Sequence, residues 1–168
     1  MVPCDRTVTE FRISERERDL INAKLHADVV ELDNILLGDY KYFEFNNVKL
    51  IKEDELLIAK SKVVRFDDIK IIDYRLLHYH GDMYRTSLVL EYYGEFAGKQ
   101  FAKLRNLNHI WIDVSGVLKL KLAYSTSISK DIDFPQFLTV QGDHSLVSPT
   151  LELAGDFSDS EKSNNISR

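Results

Sequence analysis

The stretch that decides the fold is residues 69–128: IKIIDYRLLHYH (69–80), GD (81–82), MYRTSLVLEYYGEF (83–96), AGK (97–99), QFAKLRNLNHIWID (100–113), VSG (114–116) and VLKLKLAYSTSI (117–128). Tyr, Val, Ile, Leu and Thr crowd the long segments, and each short break contains Gly where a hairpin must turn, so the stretch predicts four antiparallel strands in one meander. Strands this long twist strongly. The resulting sheet is expected to curl, with the chain before Ile69 filling its concave side.

Side-chain alternation assigns the faces. In the last strand Leu118, Leu120, Leu122 and Tyr124 point one way, and Lys119 and Lys121 the other. A three-residue loop, Val114-Ser115-Gly116, sets Leu118 beside Ile112 and Leu120 beside Ile110. That register predicts an inner face of Asn106, Asn108, Ile110 and Ile112 from one strand, joined by Tyr84, Thr86, Leu88, Leu90 and Tyr92 from its neighbour. The outer face then carries Arg105, Leu107, His109 and Trp111, with Val89, Glu91 and Tyr93. An outer face so apolar is expected to be covered by a second subunit, giving a homodimer.

Upstream, Ser14 and Glu17 have the spacing of a capping box, with Ile13 as a hydrophobic staple, and predict a helix over 15–27 with Leu20, Ile21 and Leu25 on its apolar stripe. Asp28 caps a second short helix carrying Val29, Leu32, Ile35 and Leu36, ended by Gly38. Residues 40–45 (YKYFEF) predict a strand, Asn46-Asn47 a turn, and 48–51 its partner. Lys52-Glu53-Asp54-Glu55 opens a third helix with acids at its positive end. The organisation expected is a lead-in (1–13), one domain (14–130), a segment lying back on it (131–154) and a polar, Ser-rich tail predicted to be disordered (155–168).

The chain has 168 residues, 44% of them hydrophobic, enough for one domain with a true core. Its formal charge is −5, from 22 basic and 27 acidic residues, which argues against a nucleic-acid surface. The single cysteine, Cys4, excludes a disulfide framework and a multi-thiol metal site. The N-terminus is too polar for a secretory signal and no apolar run reaches spanning length, so a cytoplasmic protein away from membranes is expected.

Candidate chemistry is sparse. Asn106 and Asn108 are two amides on a face expected to be apolar and inward. They must meet Tyr84 and Tyr124 in a structural network, or line a pocket with Tyr84, Tyr92 and Tyr124 and meet a ligand. His78 and His80 share a strand face without a third ligand at fixed spacing, so no metal is expected. His26 ends the first helix, where it suits capping. His109 is expected at the dimer face. Phosphate loops, nucleophile elbows and HExxH helices are missing from the sequence, and neither a catalytic residue nor a cofactor is assigned.

The stretches LHADVVELDNILLGDYKYFEFNNVKLIKEDELL and LNHIWIDVSGVLKLKLAYSTS, in this order, resemble the NTF2-like superfamily, and in particular its SnoaL-like and DUF4440-type small proteins. The resemblance spans roughly residues 14–130. It implies an α+β, cone-shaped (cystatin-like) fold: a curled antiparallel sheet packed on three N-terminal helices, a pocket between them, and a dimer through the sheet. The last two strands look like the steroid delta-isomerase branch, where an Asp donates to a developing enolate oxygen. Asn108 stands at that position and an amide can donate the same bond. The branch's catalytic Tyr and Asp base correspond to Ile21 and Phe45, so the base is missing and steroid isomerisation is not implied. Three readings stay open: a binder of a small hydrophobic molecule; a weak lyase or isomerase on a hydrophobic carbonyl compound with Asn108 as polarising donor; and a noncatalytic dimeric interaction module.

Overall fold

A computed structural model describes residues 6–44, 47, 49–126 and 131–132. Cys4, Phe45, the His78 side chain and residues 133–168, which include the expected tail, lie outside the described residues. The order is α1 (Arg6–Leu25), α2 (Val29–Ile35), β1 (Leu36–Phe43), β2 (Lys49–Ile51), α3 (Lys52–Ser61), β3 (Val64–His80), β4 (Met83–Phe96), β5 (Lys99–Val114), β6 (Val117–Thr126) and β7 (Asp131–Ile132).

Helix α1 begins at Arg6, well before the expected Glu15. Ser14 is not its cap: the hydroxyl donates to the Phe11 carbonyl inside the helix, at 2.8 Å. The buried residues Ile13, Glu17, Leu20 and Ile21 follow steps of three and four, one face of a helix. Glu17 therefore occupies a core position. The helix closes at Ala27 with positive φ, and His26 Nδ1 lies 2.9 Å from the Asn22 carbonyl. Asp28 caps α2 as expected, accepting from the Glu31 N–H at 3.0 Å. Gly38 does not end that helix; it lies within β1. At α3, Asp54 accepts from the Ile51 N–H at 3.0 Å, and Glu53, Asp54 and Glu55 face the positive helix end.

The sheet runs β2-β1-β6-β5-β4-β3, with β7 pairing β5 beyond the end of β6. β3 to β6 form the expected antiparallel meander. Two features correct the fold expectation. β1 lies parallel to β6, so the sheet is mixed rather than purely antiparallel. It is also open, ending at β2 and β3, rather than curled around the helices. Alternation within the meander says nothing about how β1 docks on it.

The faces of β5 are exchanged relative to expectation. The β5–β6 turn has two residues, Ser115 and Gly116, both with positive φ, the type I′ geometry that suits the strands' own twist. Leu118 is therefore opposite Asp113, and Leu120 opposite Trp111. Between Ile110 and Trp111 the register shifts and leaves Lys121 without an opposite residue, a bulge that switches β6 from one face to the other. Leu118, Leu120, Ala123 and Ser125 are buried, whereas Leu122 and Tyr124 fall on the opposite side. On β5 the inward row is Phe101, Lys103, Arg105, Leu107, His109 and Trp111, beside Tyr84, Thr86, Leu88, Leu90 and Tyr92 of β4. The core lies between this row and the helices.

Candidate functional site

Four side chains meet inside, and three of them, Glu17, His109 and Trp111, were expected elsewhere. Trp111 is fully buried and Glu17 is 1% exposed. Trp111 Nε1 donates to Glu17 Oε1 at 2.6 Å, Thr86 Oγ1 donates to the same oxygen at 2.5 Å, and His109 Nδ1 lies 2.8 Å from Oε2. An indole N–H can only donate, so this carboxylate end must accept. With a ring proton on Nδ1 facing the carboxylate, the neutral imidazole presents Nε2 as an acceptor. The carboxylate thus replaces an apolar core residue with a hub for three buried polar groups, each of which would be costly unpaired.

A cavity of about 170 Å³ opens between α3, the end of β1 and the inward row of β5. Leu32, Leu50, Ile58, Phe66, Phe101 and Leu107 supply its apolar walls. Charge gathers on the same lining as Lys24, Lys103 and Arg105 against Glu44 and Glu55. Most of it is paired. Lys24 Nζ bridges both Glu55 oxygens at 3.2 Å, and Tyr40 Oη donates to Glu55 Oε1 at 3.1 Å. Arg105 pairs with Glu44 and donates to Ser125 Oγ at 3.1 Å, and the Tyr42 hydroxyl bonds Glu44. A chamber of about 20 Å³ lies deeper, lined by His109, Tyr40, Tyr42 and Tyr92 among aliphatic residues. Lys24, Tyr42, Tyr92 and Leu107 line both spaces.

Burial raises the pKa of Tyr40, Tyr42 and Tyr92 well above the ordinary phenol value, and for Tyr40 and Tyr92 the Glu55 charge adds to it. All three hydroxyls are therefore held protonated, as donors. Tyr74 is pushed up to about 12, first by burial and then by the Glu17 charge. Its hydroxyl is sealed without a hydrogen-bond partner, the one such side-chain atom among the described residues.

Of the pocket candidates, Tyr92 lines both spaces. Tyr84 faces inward but packs in the core beside Trp111. Asn106, Asn108 and Tyr124 lie on the other face. Asn108 accepts from Arg85 Nη2 at 3.3 Å, Asn106 accepts from Ser87 Oγ at 3.4 Å, and the Arg85 guanidinium stands 5.8 Å over the Tyr124 ring. The amides are thus held by Arg85 and Ser87 on the outer side, not by the Tyr84 and Tyr124 partners expected for them on the inner face. Of the dimer-face candidates, Arg105 and Leu107 line the cavity and His109 and Trp111 bind Glu17, while Tyr93 keeps its outer position, where Lys70 approaches its ring. No cluster of three or more His, Cys, Asp or Glu able to hold a metal occurs among the described residues. Sequence reading missed Glu17 because its spacing from Ser14 fits a cap. Its equal fit to the Ile13–Leu20–Ile21 stripe was the signal available.

No protein-family model matches the chain, and no curated protein does. Solved structures do. An NTF2-like protein from Cytophaga hutchinsonii is 22% identical, with 74% of this chain and 98% of that one covered at a TM-score of 0.66. A putative Ca/calmodulin-dependent kinase II association domain from Exiguobacterium sibiricum is 7% identical, with coverage of 78% and 99% and a TM-score of 0.67. A hexachlorocyclohexane dehydrochlorinase (LinA, type 2) is 12% identical, with coverage of 79% and 98% and a TM-score of 0.62. At these identities the likeness is one of fold, and the fold is NTF2-like.

Proposed function

We propose that this chain, with its NTF2-like fold, binds a small organic molecule in the cavity between α3, β1 and β5. The observation that carries the reading is the cavity itself. Its volume of about 170 Å³ is close to the ~150 Å³ at which an engineered apolar cavity in another protein admits benzene. It is below the ~300 Å³ at which pockets for drug-sized ligands begin, so the occupant is about one ring in size. Within the fold, the resemblance of the helix and strand order favours kinship with the SnoaL-like and DUF4440-type small proteins. Elimination from a small apolar ring, the chemistry named for the dehydrochlorinase, is an activity that a cavity of this size could serve. The carbonyl-polarising role considered for Asn108 has no support from its position, since Asn108 sits across the sheet from the cavity and is held by Arg85.

Ala59 lines the cavity from α3, so Ala59→Phe fills it. Ligand-observed NMR with single-ring fragments is expected to show binding to the native chain and none to the variant. Equal binding to both, or none to either, refutes the reading.

A homodimer through the outer sheet face belongs to the same proposal. Ile110, Ile112, Leu122, Tyr124, Val89 and Tyr93 give that face an apolar character even with the exchanged register. Light scattering is expected to give twice the chain mass, and Leu122→Lys to halve it; a native monomer contradicts this. No helix among the described residues is long and apolar enough to cross a membrane.

A further inference from the structure

The inner chamber says what group the ligand carries, provided the cavity is a binding site as proposed. At about 20 Å³ it exceeds the ~10–15 Å³ needed for one water-sized group and is far too small for a ring. His109 and Tyr92 both line it, and each carries a polar atom without a partner among the described residues. His109 Nδ1 is taken by Glu17, and Nε2 makes no hydrogen bond. Tyr92 Oη makes none either. Neither atom is sealed, since Tyr74 Oη is the one enclosed side-chain atom lacking a partner; both residues line the chamber.

The two atoms ask for opposite things. With its proton on Nδ1, His109 offers Nε2 as an acceptor, backed by a carboxylate that Trp111 and Thr86 hold in place. Tyr92, kept protonated by burial, offers a donor. A carbonyl oxygen or a fluorine satisfies only Tyr92, and a methyl group satisfies neither. A hydroxyl satisfies both and is of the right size.

We infer that the chain recognises a single-ring compound bearing a hydroxyl, whose ring fills the outer cavity and whose hydroxyl enters the inner chamber, donating to His109 Nε2 and accepting from Tyr92 Oη. Phenol is the simplest member of the class. Glu17 is a positioning residue: it fixes the tautomer that makes Nε2 an acceptor.

The test is a calorimetric titration of the full chain with phenol, fluorobenzene and toluene, which have nearly the same shape. An ordinary apolar cavity ranks toluene first, because phenol must shed its water. Here phenol is expected to bind at least about tenfold more tightly than toluene, the value of one net buried hydrogen bond, with fluorobenzene between them. Tyr92→Phe is expected to shrink the gap to within about threefold, and His109→Phe to reverse the order. Should His109→Phe not fold, Tyr92→Phe, which removes one oxygen, decides alone. Toluene binding as tightly as phenol to the native chain overturns the inference and leaves the cavity reading standing. Binding of none of the three overturns both.

Discussion

The two faces of β5 carry opposite solutions to the same difficulty. Outward, Asn106 and Asn108 are satisfied by Ser87 and Arg85 from the neighbouring strand, in single bonds of 3.3–3.4 Å. Inward, His109 and Trp111 are satisfied across the core by Glu17 of α1, more than ninety residues away in sequence, in bonds of 2.6–2.8 Å. The outer network is a local accommodation between adjacent strands. The inner one fastens the helix to the sheet, since a single carboxylate answers three donors. Buried polar groups of the second kind carry a desolvation cost that their partners must offset, and here one carboxylate does so for both His109 and Trp111.

The largest effect follows from removing the hub. Glu17→Leu leaves the Trp111, Thr86 and His109 donors buried and unpaired, and is expected to lower stability by about 3–5 kcal/mol in urea denaturation. A loss below about 1 kcal/mol would mean that the inward row is not packed on α1. Next is Gly94→Ala, on the inward side of β4: an added Cβ would stand 2.1 Å from the Arg65 carbonyl oxygen, a backbone atom that cannot step aside. A destabilisation of about 2–3 kcal/mol is expected from thermal melts. On the outer face Asn108→Ala gives up one long hydrogen bond, and the expected loss is about 1 kcal/mol or less. A cost equal to that of Glu17→Leu would abolish the distinction between the faces.

Tyr74→Phe should act in the opposite direction. Its hydroxyl is sealed and unpaired, so deleting it is expected to stabilise the chain by about 1 kcal/mol. The buried tyrosines also set an alkaline limit. Their folded-state pKa values are raised, so their contribution is complete below the unfolded value of about 10 and declines as pH rises beyond it, for Tyr74 between about 10 and 12. Stability measured from pH 8 to 11 is expected to be flat and then to fall, with an earlier fall excluding the buried placement.

Much of the fold was legible in the sequence. The three helices, the Asp28 cap and the four-strand meander follow from apolar period and turn residues, which are local signals. The β1–β6 parallel pairing did not follow, because no alternation within either strand encodes its neighbour. The candidate site was lost to one residue of register. Val114-Ser115-Gly116 and Ser115-Gly116 are both plausible hairpin turns, and a one-residue slip moves every β5 side chain to the other face. The bulge at Lys121 hid the error, because it let Leu118, Leu120, Leu122 and Tyr124 look like one row. A tryptophan and a histidine placed in the outer row, opposite two asparagines placed in the core, were the sign that the faces were exchanged.

The most direct measurement is a long-range ¹H–¹⁵N spectrum of His109 in the native chain, with and without phenol. A proton held on Nδ1 and slow to exchange, a bare Nε2, and a phenol-induced shift at Nε2 alone are expected. A proton on Nε2, or a ring exchanging freely with water, would contradict the Glu17–His109 pair and the inward face built on it.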